Sequence, residues 1–295
     1  MRSLAALATL TLAACAAPAI ATEPRTEPQP VADTLLIGGT VYDVRWGLPA
    51  GEPLALAIVE HGFTRRCDNL RGTLQAWVDA GLMTLCIDAS MVAGNPELAD
   101  ALAELLVTEG LVGPGGQPVP ARTVVGGHSA GGAFAVRLGW QLAQAAPDRI
   151  AGAVLFDPVA SGARFVDELR GLAAFGQRPV LAVTANASGC NAQHNAYPGL
   201  RAAAADDIAA GGDGFVGAQL LQSSTHVDAE GGDSDLLGWV ACRQGPPRPG
   251  NVKALRELTA TWAADVARGV RTPSAYPGGA LFERLRDADR AATID

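Results

Sequence analysis

The chain has 295 residues, of which 48% are hydrophobic and 18% are charged, so it can bury one large core or two modest ones. A net charge of −8 and an aromatic content of 5% supply no basic face for a nucleic acid, which argues against that class of partner. A single α/β domain is the starting expectation.

The first residues, 1–21, have the layout of an export signal, and their apolar run over 4–14 is too short for a permanent membrane span. Cys15 closes this run directly, as in the lipobox of bacterial lipoproteins, and is the favoured processing site. The alternative is ordinary cleavage after Ala21. Residues 22–33 are Pro-rich and charged, which is typical of a tether. We therefore expect an exported protein whose membrane contact, if any, is a lipid on Cys15.

After the tether, apolar runs bounded by turn residues alternate with helical patterns, which indicates strand–helix units around a mostly parallel sheet. Six nearly continuous runs suit strands that are covered on both faces. They begin at Pro53, Leu82, Arg122, Ile150, Pro179 and Gly214. An earlier stretch has two β-type halves around Gly38 and Gly39, which favours an antiparallel edge hairpin. No repeat or interior linker interrupts residues 34–295, so one domain is predicted.

Three helices are predicted from caps and apolar spacing. Asn95 can cap a helix that has Pro96 at its first position and that ends at Gly110. A second helix follows Ser129 directly, and a third follows Asn251. Their apolar positions recur at helical spacing: Leu98, Leu102, Leu105 and Leu106; Phe134, Leu138 and Leu142; Leu255, Leu258, Trp262 and Val266.

Four cysteines remain when Cys15 is set aside, an even number that favours two disulfides in an exported chain. Three pairings are open, and the sequence alone does not choose between them. We favour Cys67 with Cys86, and Cys190 with Cys242, because each pair falls on neighbouring elements of the expected sheet. Buried free thiols are the alternative. A metal site is disfavoured because no two cysteines have the close spacing of zinc ligands.

The stretch VVGGHSAGGAFA, residues 124–135, reads as a strand, a glycine-flanked serine and the start of a helix. About 0.13 matches to its G-x-S-x-G pattern would arise by chance in such a chain, so the pattern alone is weak evidence. Its setting between a strand and a helix is the one that a nucleophilic serine requires. Ser129 is therefore the predicted nucleophile, and a glycine-rich turn with an incidental serine is the alternative.

With this motif, residues 34–295 resemble the α/β-hydrolase superfamily, and in particular chlorophyllase-like hydrolases and secreted bacterial lipases and esterases. The resemblance implies a mostly parallel central sheet with helices on both faces. It also implies a catalytic order of serine, acid and histidine. The stretch between Asp157 and the strand at Pro179 has room for one helix only, so we expect a minimal lid and an open cleft.

The resemblance then assigns the other two members of a catalytic triad. His226 follows the last strand, where the family carries its histidine, and His194 is the alternative. The strand that usually precedes the acid is followed here by no Asp or Glu. Asp157 ends the strand before it, in a D-P-V sequence similar to that of chlorophyllase-like hydrolases, and Asp228 is its rival. His128 receives no role, because its side chain is expected to be directed away from the serine.

The implied oxyanion donors are the backbone N–H groups of Ala130, next to the serine, and of Phe63, in an H-G-F loop after an early strand. The expected activity is hydrolysis of a small or polymeric carboxylic ester through an acyl-enzyme, by a monomer that needs no metal or cofactor. The alternatives are a peptidase or an acyltransferase on the same scaffold, and a surface-anchored binding protein without turnover. Ala130 stands where cutinase-like polyesterases commonly have methionine, so no particular polymer is predicted.

Overall fold

The computed structural model describes residues 30–294. The predicted export signal, Cys15 and most of the predicted tether lie outside the described residues. Nine strands form one sheet in the described part: β1 (Val31–Ile37), β2 (Thr40–Gly47), β3 (Leu56–Glu60), β4 (Met83–Ile87), β5 (Thr123–His128), β6 (Ile150–Phe156), β7 (Val180–Thr184), β8 (Gly217–Leu220) and β9 (Ala291–Thr293). β1 thus starts inside the stretch that the sequence assigned to the tether.

The strands lie in the order β1-β2-β4-β3-β5-β6-β7-β8-β9. The six central strands, β3 to β8, are parallel to one another, whereas β1, β2 and β9 run antiparallel to their neighbours. The parallel strands are the six apolar runs predicted from the sequence, and the predicted edge hairpin is β1 with β2. The short strand β9 was not predicted, because three residues are too few to show an alternating pattern.

The described part has eight α-helices: α1 (Arg71–Asp79), α2 (Pro96–Glu104), α3 (Ala130–Ala145), α4 (Ala163–Leu172), α5 (Tyr197–Ala209), α6 (Leu236–Ala241), α7 (Pro249–Arg268) and α8 (Ala280–Asp287). Helices α2 to α5 cover one face, and α1, α7 and α8 cover the other. Strands β3 to β7 are buried along their whole length because both faces are covered.

The first residues of two helices can be compared with the starts that the sequence predicted. Asn95 caps α2 as predicted, since its Oδ1 accepts from the backbone N–H of Leu98 at 3.2 Å. The start of the third predicted helix was wrong by three residues, because α7 begins at Pro249 and not after Asn251. Asn251 lies inside its first turn, and its side-chain amide donates to Asp228 at 3.2 Å instead of capping the helix. A proline at the first helical position was the stronger signal.

Two disulfides join neighbouring elements. Cys67 pairs with Cys86 at a Cα–Cα distance of 5.8 Å, and Cys190 pairs with Cys242 at 5.2 Å. Both are consistent with an exported protein. Within residues 30–294, no helix is long and apolar enough to cross a membrane.

Candidate active site

A sharp turn places Ser129 between β5 and α3, at the edge where the parallel strands have their carboxyl ends. Its backbone φ is positive, 56°, with ψ −123°, a conformation that non-glycine residues adopt rarely. The carbonyl of Ser129 accepts from the N–H groups of Gly132 at 2.9 Å and Val159 at 3.0 Å, and its own N–H donates to Phe156 at 3.1 Å. These bonds hold the turn from both sides.

The glycines that flank Ser129 allow the strand and the helix to touch. A Cβ atom on Gly127 would overlap the backbone carbonyl of Gly131, and a Cβ on Gly131 would overlap the carbonyl of Glu60 on β3. No side chain fits at either position, because the atoms in the way are backbone atoms. The G-x-S-x-G pattern is therefore required by the packing of β3, β5 and α3.

Asp157 and His226 form a buried pair. His226 Nδ1 donates to Asp157 Oδ2 at 2.6 Å, and the two residues are 5% and 4% exposed, respectively. The carboxylate also accepts from the N–H of Ala185 at 3.1 Å and from the side-chain amide of Asn191, which is 3.2 Å from both oxygens. The bond to Asp157 keeps the proton of a neutral His226 on Nδ1 and leaves Nε2 free to accept one.

Ser129 and His226 line one cavity of about 640 Å³, together with Ala130 and Phe63. The loop between β3 and Cys67, residues 61–66, forms one wall and is called the β3 loop here. A Cβ placed on Gly62 of this loop would be 3.1 Å from Ser129 Cβ, so the loop lies directly against the serine. Ala130 is the first residue of α3, where backbone N–H groups have no partner inside the helix. The predicted nucleophile, histidine and oxyanion donors thus share one cavity.

The two rivals weighed in the sequence have other contacts. His194 Nε2 donates to the carbonyl of Ala185 at 2.7 Å, and its ring stacks on Tyr197 with the centroids 4.3 Å apart. Asp228 accepts from the N–H and hydroxyl of Thr225 at 2.9 and 3.1 Å, and from the N–H of Arg248 at 3.1 Å. Asp228 therefore caps the short turn that begins at His226, and burial raises the pKa of its carboxyl group.

His128 and Gln244 contact the backbone of His226, and neither contact was predicted from the sequence. His128 Nε2 donates to the carbonyl of His226 at 2.8 Å, and the two rings lie 4.6 Å apart. The N–H of His226 donates to Gln244 Oε1 at 2.8 Å. Burial, followed by the nearby His226, holds the pKa of His128 well below its usual value of 6.5, so this ring is neutral.

A buried ion pair joins the β3 loop to the residues that follow His226. Arg65 contacts Glu230 through two hydrogen bonds, Nε to Oε1 at 2.8 Å and Nη2 to Oε2 at 2.6 Å. The side chains are only 8% and 1% exposed. A third bond runs from Arg65 to Asp235 at 3.0 Å, just before α6. Buried pairs of this kind add little net stability but fix the relative position of the parts that they join.

The remaining cavity wall is largely apolar, with charged groups at one side. Arg137, Arg164 and Glu168 line that side, but Arg137 is already paired with Asp100 and Glu168 at 2.6 Å each. The apolar wall consists chiefly of Met91, Val92, Val159, Phe165, Leu237 and Ala241. Such a lining suits an uncharged ligand with an apolar part.

One cluster among residues 30–294 has the ligand types of a metal site. Potential ligand atoms of His61, Cys67 and Asp88 lie within 4.8 Å of one another. The sulfur of Cys67 is in the disulfide with Cys86, and a thiolate is the form that binds metal. The donor set therefore does not fit a metal ion while the disulfide is formed.

Comparison of the sequence with models of protein families and with curated proteins finds no match. Solved structures do match. Carboxyl esterase 2 from the fungus Tuber melanosporum aligns with a TM-score of 0.56 and 17% identity, over 85% of this chain and 89% of that one. A thermostable esterase from Pseudomonas putida aligns with a TM-score of 0.54 and 14% identity, over 84% and 85%.

Dienelactone hydrolase from Anabaena variabilis is a further match, with a TM-score of 0.54 and 15% identity over 80% of this chain and 97% of that one. Together with the sheet order and the covered faces, these likenesses show that the chain has the α/β-hydrolase fold. The narrower resemblance to chlorophyllase-like hydrolases or secreted lipases stays a prediction.

Substitution of Gly127 by alanine tests the steric account of the turn. We expect Gly127→Ala to lower the free energy of unfolding by about 2–4 kcal/mol, because the new methyl group meets backbone that cannot move aside. The control is Gly51→Ala, since a Cβ at that glycine has no atom within 4 Å. Denaturant unfolding measures both. Equal stability of the two variants would contradict the steric requirement.

Titration of unfolding tests the neutral state of His128. Because burial depresses its pKa, His128 takes up a proton on unfolding, and the folded state loses stability as the pH falls through about 6.5. Glu60, whose pKa burial raises, has the opposite effect, but it is present in both proteins. We expect the thermal midpoint of His128→Gln to fall less than that of the wild type between pH 7 and pH 5. An identical fall would contradict this.

Proposed function

We propose that this protein is a serine hydrolase that cleaves carboxylic esters through an acyl-enzyme. The observation that carries the proposal is the buried His226–Asp157 pair, whose histidine shares a cavity with the strained Ser129. A serine hydroxyl needs a neighbouring base to become nucleophilic, and the base needs a carboxylate to orient it. The solved structures with the same fold include two named as esterases and one as a dienelactone hydrolase, which favours an ester over other substrates.

In the proposed reaction, Ser129 Oγ attacks the carbonyl carbon of the ester while His226 Nε2 takes the hydroxyl proton. Asp157 stabilises the resulting imidazolium. The backbone N–H groups of Ala130 and Phe63 donate to the oxyanion, and each such donor is typically worth about 3 kcal/mol in the transition state. His226 then gives its proton to the leaving alkoxide. Water, activated by His226 in the same way, cleaves the acyl-enzyme and releases the acid.

Exposed apolar residues at the opening of the cavity, called its mouth here, favour an ester that extends beyond the cavity. Phe63, Val92 and Leu237 line the cavity and are still 56%, 59% and 62% exposed. Leu236 and Val240 on α6 are 67% and 64% exposed and do not line the cavity, so a ligand reaches them only past the mouth. Exposed apolar groups beside a catalytic cleft indicate binding of apolar material. The substrate that we propose is an ester with a bulky or polymeric apolar part.

The proposed enzyme works outside the cytoplasm. Its two disulfides are consistent with an oxidising compartment. We place it in the cell envelope through a lipid on Cys15, with ordinary signal cleavage as the alternative. Intact-mass measurement of the mature protein distinguishes the two, because a free terminus at Thr22 would exclude the lipid anchor.

Triad variants test the reaction class. With p-nitrophenyl butyrate as substrate, Ser129→Ala should reduce the rate on the order of a millionfold while the protein stays folded. Asp157→Asn should cost on the order of ten-thousandfold, because the histidine is then left in the wrong tautomer. Labelling of Ser129 by a fluorophosphonate probe provides a test that needs no substrate.

Asp228→Asn is the matched control for the acid. Its carboxylate caps a turn, whereas the Nδ1 of the His226 ring bonds Asp157, so this change should cost far less activity than Asp157→Asn, even if it lowers stability. Retained esterase activity in Ser129→Ala would overturn the proposal. Absence of a probe adduct on Ser129 would favour a binding protein, and greater activity on aminoacyl amides than on esters would favour a peptidase.

Changes at the mouth test the proposed substrate. Leu237→Ser combined with Val240→Ser should reduce the rate on a suspended aliphatic polyester several-fold and change the rate on p-nitrophenyl acetate less than about twofold. Leu36→Ser is the control, because Leu36 is 63% exposed but lies on edge strand β1. Equal losses on the two esters would contradict a role for the mouth in binding bulky substrates.

A further inference from the structure

The Cys190–Cys242 disulfide lies between the two parts of the chain that support Asp157 and His226. Cys190 is in the loop after β7, residues 185–196, which is called the β7 loop. Cys242 directly follows α6 and is two residues before Gln244. Both cysteines line the cavity that contains Ser129. Cys67 and Cys86 do not line it, and they are 1% and 0% exposed in the core.

On one side of this disulfide, the residue next to Cys190 holds the acid. Asn191 is fully buried, and its amide nitrogen lies 3.2 Å from both carboxylate oxygens of Asp157. The same nitrogen donates to the carbonyl of Asn186 at 2.9 Å, and Asn191 Oδ1 accepts from the N–H of Ser188 at 2.8 Å. Every one of these contacts depends on the fold of the β7 loop.

On the other side, the residues after Cys242 hold the histidine. Gln244 Oε1 accepts from the backbone N–H of His226 at 2.8 Å. Gln244 is placed by its own N–H, which donates to the carbonyl of Trp239 on α6 at 3.2 Å. Arg243, between Cys242 and Gln244, has a left-handed backbone with φ 48°, so the chain reverses sharply at this point.

We propose that the Cys190–Cys242 disulfide is an active-site clamp, which acts through Asn191 on Asp157 and through Gln244 on His226. The proposal rests on the proposed function. The acid and the histidine come from different loops, 69 residues apart in the chain, and their 2.6 Å bond depends on how those loops lie relative to each other. The disulfide is the covalent link between the two supports. Asn191 and Gln244 are therefore positioning residues.

Noncovalent bonds also anchor the β7 loop, on either side of Cys190 and Asn191. After them, Asn195 Oδ1 accepts from the backbone N–H of Ala160 at 3.1 Å. Asn186 donates through its backbone N–H to Ser224 Oγ at 2.8 Å and through its side chain to the carbonyl of Leu221 at 3.1 Å. Between these two anchors, the disulfide at Cys190 is the covalent support next to Asn191. Loss of the clamp should loosen the acid–histidine bond, and catalytic geometry tolerates displacements of only about 0.5 Å. The expected defect is in kcat and not in substrate binding.

The first test compares the two disulfides in the full-length protein. At a temperature well below the unfolding midpoint, Cys190→Ala/Cys242→Ala should lower kcat on p-nitrophenyl butyrate at least about tenfold with KM changed less than about threefold. The matched control, Cys67→Ala/Cys86→Ala, should lower the unfolding midpoint but keep kcat within about twofold. Equal kcat in the two pairs would overturn the clamp.

A second test separates positioning from general stability. Asn191→Ala and Gln244→Ala, each with both disulfides intact, should lower kcat by themselves. If the clamp acts through Asn191, Asn191→Ala should cost much less in the Cys190→Ala/Cys242→Ala background than in the wild type. If the fold-loss in kcat from Asn191→Ala were the same in both backgrounds, the proposal would be overturned. Wild-type kcat in both Asn191→Ala and Gln244→Ala would also overturn it. The second outcome can be measured even if Cys190→Ala/Cys242→Ala does not fold.

The third test does not depend on turnover. The short bond from His226 to Asp157 should give a downfield Nδ1 proton in the NMR spectrum of the wild type, and His226→Gln identifies it. This signal should weaken or vanish in Cys190→Ala/Cys242→Ala and persist in Cys67→Ala/Cys86→Ala. Persistence in both would refute the clamp. If Ser129→Ala keeps esterase activity while the signal behaves as expected, the proposed function fails and the clamp on the Asp157–His226 pair stands.

Discussion

The strained turn at Ser129, with its positive φ, is the constraint on which the site depends. A strand that ends and a helix that begins within two residues bring β3, β5 and α3 into backbone contact, and only glycine at positions 127 and 131 allows this. The strained serine is held by bonds to Phe156 and Val159 in its surroundings. The same contact places the amino end of α3 and the β3 loop on either side of the serine.

The site also depends on several loops that meet at one edge of the sheet. Parallel strands deliver β3, β5, β6, β7 and β8 loops to the same side, so residues distant in sequence meet there. Convergence alone leaves those loops free to shift. The Arg65–Glu230 pair ties the β3 loop to the residues after His226, and the Cys190–Cys242 disulfide ties the β7 loop to the segment after α6. The cavity is thus bordered by loops that are linked to each other.

Much of this arrangement was predictable, because it depends on local chemistry. Continuous apolar runs predicted the six parallel strands, and Asn95 followed by Pro96 predicted the start of α2. The glycines around Ser129 pointed to the turn for a steric reason that the structure makes explicit. Where a signal was short or ambiguous, prediction failed: β9 is only three residues long, and the third predicted helix begins at Pro249 and not after Asn251.

By itself, the sequence determined the six parallel strands, the glycine-flanked serine, and the candidates for acid and histidine, because periodicity, caps and backbone sterics are properties of neighbouring residues. Only the tertiary structure decided between Asp157 and Asp228 as the partner of the His226 ring, since both are near His226 in space or sequence and only the folded loops show which one its Nδ1 reaches. The roles of His128, Asn191 and Gln244 were likewise invisible. Their hydrogen bonds span loops far apart in the chain, and no local pattern records a contact that exists only after the sheet has assembled.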